Sequence, residues 1–321
     1  MRCTSPFSGF KWLNYFLAPT AHSGTADIIC FGLTGVSIVR NSFDVQKREA
    51  LQSFAYNASW RVDRHVRLLA DTTGDKRLDI VGFGDPGVWV SRNNGDNTFG
   101  PPKLVIRDFA YEAGGWLVAR HPRFMADIRN TGRADIVGFA DSGVFVSLNN
   151  GDGTFAPSKL GLGNFRYSGG WRAEKHLRFL ADFIGNGSLD IIGFGNQDVY
   201  VAYNNGDGTF QPAKEVLTFF CYDQGWRIAE HPRFVVDMTG DGKPDLVGFA
   251  DDGVYVAFNN GDATFRGPCR VSDEFCRNKG GWVAQKHPRI IADLTGNGCG
   301  DIVGFGDAGV YVAINNGYGT F

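Results

Sequence analysis

Apolar and polar positions alternate along this chain in short runs, and the runs recur. In residues 116–155, WLVARHPRFMADIRNTGRADIVGFADSGVFVSLNNGDGTF, three β-rich stretches (RFMAD, ADIVGFA and GVFVSLN) are separated by clusters of Gly, Asn and Asp. Period-two alternation predicts strands, and the clusters predict the tight turns between them. The next stretch, APSKLGLGNF, supplies a fourth strand. DIVGF is apolar on both of its faces, as a strand covered on both sides must be. No 3.6-residue stripe outlasts a turn or two, which excludes helical repeats.

The whole unit is repeated. HPRFVVDMTGDGKPD, from His231, has counterparts that begin at His65, His121, His176 and His287. Each is preceded by a tryptophan, Trp60, Trp116, Trp171, Trp226 or Trp282, at a spacing of 55 or 56 residues. A worn copy at the N-terminus aligns PTAHSGTADIICFGLTGVSIVRNSF with DTTGDKRLDIVGFGDPGVWVSRNNG. It has Pro19 in place of the first aspartate and FKWLNYFLAP as its candidate first strand. Four strands in a repeat of this length predict an all-β fold, a β-propeller of four-stranded blades forming one domain over 1–321. Six repeats are visible, approximately 8–59, 60–115, 116–170, 171–225, 226–281 and 282–321. The last ends at NNGYGTF, before the strand and tryptophan that follow in the other copies, so the last blade is expected to be incomplete or missing.

Composition narrows the function classes. The net charge is -2 with acids and bases interspersed, so the chain lacks the basic face of a nucleic-acid binder. Glycine at 44 residues and aromatic residues at 14% fit tight turns and aromatic-rich strands. No apolar run approaches the roughly 20 residues of a membrane span, so no membrane insertion is expected. Charge interrupts MRCTSPFSGFKWLNYFLAPTA, which argues against a cleaved secretion signal and predicts a cytoplasmic protein, with release to the extracellular space left open. The six cysteines, Cys3, Cys30, Cys221, Cys269, Cys276 and Cys299, are read as free thiols, none occupying the same place in two repeats.

The acidic segment after the first strand has the spacing of a calcium loop. Calcium takes six or more hard oxygens, and alternate residues of a tight loop can turn carboxylates and hydroxyls toward one centre. Asp71, Thr73, Asp75 and Asp79 have that spacing, as do Asp237, Thr239, Asp241 and Asp245. Asp293, Thr295, Asn297 and Asp301 offer two carboxylates and a weaker site. Asp182, Asn186 and Asp190 lack the third oxygen-bearing residue, and Asp127, Thr131 and Asp135 carry Arg129 there. Structural calcium is therefore expected in two or three repeats. The competing reading is that the same Asp and Asn cap the turns through their own backbone.

On the first strand His and Arg alternate, pairing His65 with Arg67, His121 with Arg123, His176 with Arg178, His231 with Arg233 and His287 with Arg289. Residues two apart on a strand point the same way. The loop between the second and third strands adds Asp85, Asp141, Asn196, Asp251 and Asp307. In a blade that loop shares a face with the link to the next blade, opposite the acidic loops and the NNGDGTF turns. Trp, His, Arg and Asp suit a sugar pocket, because a pyranose packs its apolar face on an aromatic ring and orders its hydroxyls on directional donors and acceptors. The same residues also suit packing between blades, and spacing alone leaves both readings open. No His, Asp and Glu set departs from the repeat, so no catalytic residue is expected.

WRVDRHVRLLADTTGD, FMADIRNTGRADIVGF and NNGDGTF, with GGW, H-x-R, D-x-T-G-D and GFGxxGV in the same order, resemble the Psathyrella velutina lectin-type fungal β-propeller lectins, which carry integrin-like FG-GAP/VCBS repeats. The resemblance covers nearly the entire chain. It implies a multivalent, non-catalytic lectin that takes glycans and glycoproteins, N-acetylglucosamine-terminated chains and sialic acid, in pockets between consecutive blades, with calcium in some loops. By the face argument above, each complete pocket comprises the Trp, His, Arg and Asp or Asn already named, and the first repeat provides no full site. The alternative is an integrin-like protein-interaction propeller without sugar binding. The family propeller has seven blades, so a truncated or incomplete sequence is expected ahead of a six-bladed ring closed by its ends or an open arc. The oligomeric state is left open.

Overall fold

The structure, a computed structural model, describes residues 15–18, 27–39, 47–96 and 98–321. Cys3, Pro19 and the beginning of the candidate strand FKWLNYFLAP lie outside the described residues. Its strands form six antiparallel sheets, the blades of a β-propeller. In the third, Arg123–Ala126, Asp135–Phe139, Val144–Ser147 and Lys159–Leu162 pair in sequence order, the four strands read from alternation. Five sheets have this four-stranded order, and the sixth has three strands among the described residues, Arg289–Ala292, Asp301–Phe305 and Val310–Ala313. In the N-terminal repeat Tyr15–Ala18 pairs with Asp27–Phe31, so FKWLNYFLAP does carry the first strand.

The described residues group into two compact units, Phe10–Ala173 with Asn205–Thr209, and Glu174–Asn204 with Phe210–Phe321. In each, the second strands are the centre of the core. Asp79–Phe83, Asp135–Phe139, Asp190–Phe194 and Asp245–Phe249 are buried at every position, which is why their sequence has no polar face. In the first unit, Val81, Phe83 and Val88 of one repeat share a cluster with Phe109, Trp116 and Ile136. In the second, Phe194, Phe220, Trp226 and Leu246 do the same.

The glycine of DIVGF makes room for the tryptophan. A Cβ built at Gly138 would fall 2.5 Å from the Trp116 ring, one at Gly248 would fall 2.6 Å from Trp226, and one at Gly304 would fall 2.5 Å from Trp282. In the repeats of Trp116, Trp226 and Trp282 the indole thus occupies the space that a side chain on its own second strand would need.

Asparagine ties successive repeats on the acidic-loop face. The Asn149 backbone N–H donates to Asp135 at 2.7 Å, and its Nδ2 donates to the carbonyls of Ala134 and, in the preceding repeat, Thr72. Asn259 and Asn315 make the same reach, to Phe183 and Met238, each at 2.9 Å. On the other face the link meets the loop between the second and third strands, through Tyr167 N–H to Ala140 and Ser168 N–H to Asp141. The division of faces argued from topology holds. No helix among the described residues is long and apolar enough to cross a membrane.

Replacing Gly138 with alanine forces Trp116 out of its seat. An overpacked core of this kind loses about 1–3 kcal/mol. Urea denaturation of Gly138→Ala should show that loss, whereas an unchanged midpoint would mean the indole shifts freely.

Candidate functional site

Four of the buried histidines are held at Nδ1 by the chain that precedes them. The N–H of the residue four earlier donates to Nδ1, from Arg61 to His65 at 3.0 Å and from Leu117, Arg227 and Val283 to His121, His231 and His287 at 3.1 Å. A nitrogen that accepts carries no proton, so these bonds assign the proton to Nε2. Nε2 meets Asp85 at 2.9 Å, Asp141 at 3.0 Å and, in the 171–225 repeat, Asn196 at 2.9 Å. The distance grows to 3.5 Å for His231 and Asp251 and to 3.2 Å for His287 and Asp307, and His287 Nε2 makes no hydrogen bond. Burial pushes the pKa of His121, His176 and His231 below the ordinary imidazole value, against the pull of the facing loop residues.

The tryptophans lie deeper than the spacing suggested. Trp116 and Trp226 are 5% exposed and Trp282 9%, and each meets its histidine edge-on at 5.5–5.6 Å. Arg123, Arg178, Arg233 and Arg289 are deeper still, and Arg67 is half-buried. Arg67, Arg123, Arg233 and Arg289 donate Nη1 to the carbonyls of Phe54, Phe109, Phe220 and Phe275. Those phenylalanines adopt φ between 54° and 63°, a left-handed backbone that costs roughly 1–2 kcal/mol in a non-glycine residue. Burial lowers the guanidinium pKa of Arg67, Arg123, Arg178, Arg233 and Arg289 to about 10. The structure thus joins Trp, His and the loop residue in one line, and sends Arg to the link instead. The loop residues Asp141, Asn196, Asp251 and Asp307 are exposed and Asp85 is half-buried.

Sequence reasoning missed a more accessible layer. The residue before the histidine pairs with the loop carboxylate, Arg64 with Asp85 at 2.5 Å, Arg120 with Asp141 at 2.7 Å and Lys286 with Asp307 at 2.6 Å. The same side chain covers a link tyrosine, Arg64 over Tyr111 at 3.9 Å, Arg120 over Tyr167 at 3.7 Å and Lys175 over Tyr222 at 4.7 Å. Arg172 and Arg227 approach Tyr167 and Tyr222 at 3.8 and 3.7 Å. The signal was a tyrosine four or five residues before the tryptophan in four repeats, together with a cation before most histidines. Trp282, His287, Asp307 and Tyr311 of the last repeat, with Glu274 of the link before it, line a cavity of about 470 Å³.

The acidic loops are closed by their own carboxylates. Asp71 accepts N–H groups from Thr73, Gly74 and Lys76, and Asp237 accepts them from Thr239, Gly240 and Gly242. Asp75 and Asp241 accept from Arg77 and Lys243, and Asp79 and Asp245 from Asn93 and Asn259. Asp293 likewise accepts from Gly296, Asn297 and Gly298, while Asn297 accepts from Cys299 and Asp301 from Leu294 and Asn315. Among the described residues no group of three or more His, Cys, Asp or Glu is arranged to hold a metal. Burial, with the Asp237 and Asp241 charges beside it, pushes Asp245 up to about 6. In the 116–170 repeat a cation is built in, Arg129 lying 2.8 Å from buried Asp135.

One sequence reading is corrected. Cys221 and Cys276 do share a place in the repeat, each buried directly after a left-handed phenylalanine, Phe220 or Phe275. The described cysteines are free thiols.

Comparison with solved structures finds a lectin of Agrocybe aegerita, described for its specific recognition of non-reducing terminal N-acetylglucosamine. It has 56% sequence identity and a TM-score of 0.90 over 96% of this chain and 79% of that one. The Tc holotoxin pore of Photorhabdus luminescens matches 96% of this chain and 14% of its own at 15% identity and a TM-score of 0.63, a likeness of fold alone. No protein-family model and no curated protein sequence matches the chain.

Buried His121, His176 and His231 give stability a pH dependence. On unfolding, their imidazoles regain a pKa near about 6.5, so below that pH the unfolded chain binds more protons and stability falls. Asp190 and Asp245, raised to about 6 by burial, act in the opposite direction, because there the folded chain holds the extra proton. Comparing variants isolates the histidine. His121→Gln should flatten the acid-side slope of denaturation curves between about pH 6.5 and 5; an unaltered slope would show that His121 does not titrate as its burial requires.

Proposed function

Because the chain belongs to the fungal β-propeller lectins, which bind carbohydrate and are not enzymes, we propose that it binds N-acetylglucosamine-terminated glycans and glycoproteins at several of its repeats. The observation that carries this reading is the cavity of about 470 Å³ in the last repeat. That volume lies in the ordinary range of small-ligand sites and accommodates a sugar. Trp282 and Tyr311, with ring centroids 5.7 Å apart, give it an aromatic wall. Asp307 and Glu274 give it acceptors, and His287 contributes a buried Nε2–H, 3.2 Å from Asp307, that makes no hydrogen bond among the described residues. In the other repeats the same positions bring the loop Asp or Asn to the surface, with Trp and His fixing it from beneath and Arg holding the link. Sialic acid is proposed as a second ligand at the 171–225 repeat, where the loop residue on His176 is the uncharged Asn196 and Lys175, over Tyr222, offers a carboxylate a cation. Several weak sites on one chain bind a glycan-covered surface by avidity, each later contact being intramolecular.

Calcium is proposed for the loops at 71–79 and 237–245, and more weakly at 293–301. What supports it is charge. Arg129 supplies a cation beside Asp135, whereas the charges that act on buried Asp245 are those of Asp237 and Asp241. A carboxylate oxygen has two lone pairs, so it can keep its backbone N–H bond and face an ion as well. Asp71, Asp75, Asp79, Asp237, Asp241 and Asp245 would hold it, with Thr73 and Thr239 adding oxygens. The ion would neutralise the loop and leave sugar chemistry to the other face.

Titration with N-acetylglucosamine should show several sites per chain, and Asp307→Ala should remove one of them while the far-ultraviolet spectrum stays the same. Absence of any binding by the wild-type protein would sink the proposal. Chelation should lower the melting temperature more than it weakens sugar binding. The reverse order would make calcium a ligand of the sugar.

A further inference from the structure

Three first-strand arginines carry a charge that their surroundings leave half satisfied. Arg123, Arg233 and Arg289 are 4%, 4% and 1% exposed. Each donates Nη1 to a link carbonyl and lies over a phenylalanine of the preceding repeat, Phe83, Phe194 or Phe249, at 5.3–5.6 Å. Nε and Nη2 are treated differently. In all three arginines both nitrogens are buried and meet no acceptor among the described residues. Together they form one edge of the planar guanidinium, an edge that can grip an anion through two parallel N–H bonds.

The neighbours do not supply that anion. At Arg123 burial alone acts on the guanidinium. The Cys221 thiol acts on Arg233, but burial pushes it up to about 12, so it keeps its proton at neutral pH. Arg289 feels the charges of Cys276 and Asp251, yet its Nε and Nη2 bond to neither. Each guanidinium, lowered only to about 10, stays charged at neutral pH. A buried charge without a counter-charge is among the costliest things a core can hold. The same unfilled edge in three repeats points to a shared occupant.

We propose that the Nε and Nη2 edge of Arg123, Arg233 and Arg289 each binds a small inorganic anion of the halide class, chloride under ordinary conditions. A halide accepts N–H bonds from any direction, carries the single charge that the guanidinium needs, and takes little room. A glycan carboxylate cannot reach groups so deeply covered. By offsetting the charge, the ion lets arginine remain in the core and hold the carbonyl of the left-handed link phenylalanine, so link conformation becomes anion-dependent. The site is independent of the sugar-binding reading.

The test is anomalous diffraction from crystals soaked in bromide, with melting curves of wild type and Arg123→Met in solution. Bromide peaks are expected at the Nε and Nη2 edge of all three arginines. Replacing chloride with gluconate, a bulky anion, at fixed ionic strength should lower the wild-type melting temperature by at least about 2 °C, because a ligand held only by the folded state stabilises it. Arg123→Met, with one site of the three removed, should show a smaller drop. Water at all three edges overturns the proposal, as does an adventitious ion only, with bromide confined to the surface. A wild-type melting temperature indifferent to halide overturns it as well. Should Arg123→Met fail to fold, the bromide map and the wild-type shift decide by themselves.

Discussion

The repeats that begin at Trp60, Trp116, Trp226 and Trp282 depend on one contact, an indole seated where the second strand has glycine. Seating it requires the link to double back through a left-handed phenylalanine, as Phe109 does before Trp116. The backbone strain there is outweighed locally, because two large rings are buried together at 5.0 Å and such a pair gains about 0.5–1.5 kcal/mol beyond its burial. The strained carbonyl is then available to Arg123, and the turn after Trp116 presents the Leu117 N–H to His121. Packing therefore decides which ring nitrogen carries the proton, and so which group faces Asp141.

Much of the fold was legible because strand alternation and repetition reinforce each other. Every strand that APSKLGLGNF, DIVGF and their neighbours implied is present, and the two loop faces separate as topology requires. Depth was not legible. Spacing says that His and Arg share a side of a strand, but says nothing of how far another repeat covers them or the Trp before them. Attention to positions that recur unchanged also hid the accessible layer, since the residue before the histidine varies through Arg64, Lys175 and Glu230. The shared place of Cys221 and Cys276 was masked by one extra residue, the first lying five positions before its tryptophan and the second six. Carboxylate spacing in the acidic loops is the same whether the loop caps itself or holds an ion, so sequence could not separate the two.

The histidines also constrain what recognition can use. At His121 burial favours the neutral ring, and the Leu117 N–H donated to Nδ1 fixes its orientation, so Nε2–H is a donor of constant direction near neutral pH. Charge at the surface is set instead by side chains that packing leaves free. Arg64 and Arg120 cancel their loop carboxylates, Asn196 removes one, and Glu230 adds another. A residue that packing does not fix can change without disturbing the Trp and Gly seat beneath it. The same scaffold can therefore carry different charges at equivalent positions, and it is that freedom, more than the shared core, that distinguishes the surface of one repeat from the next.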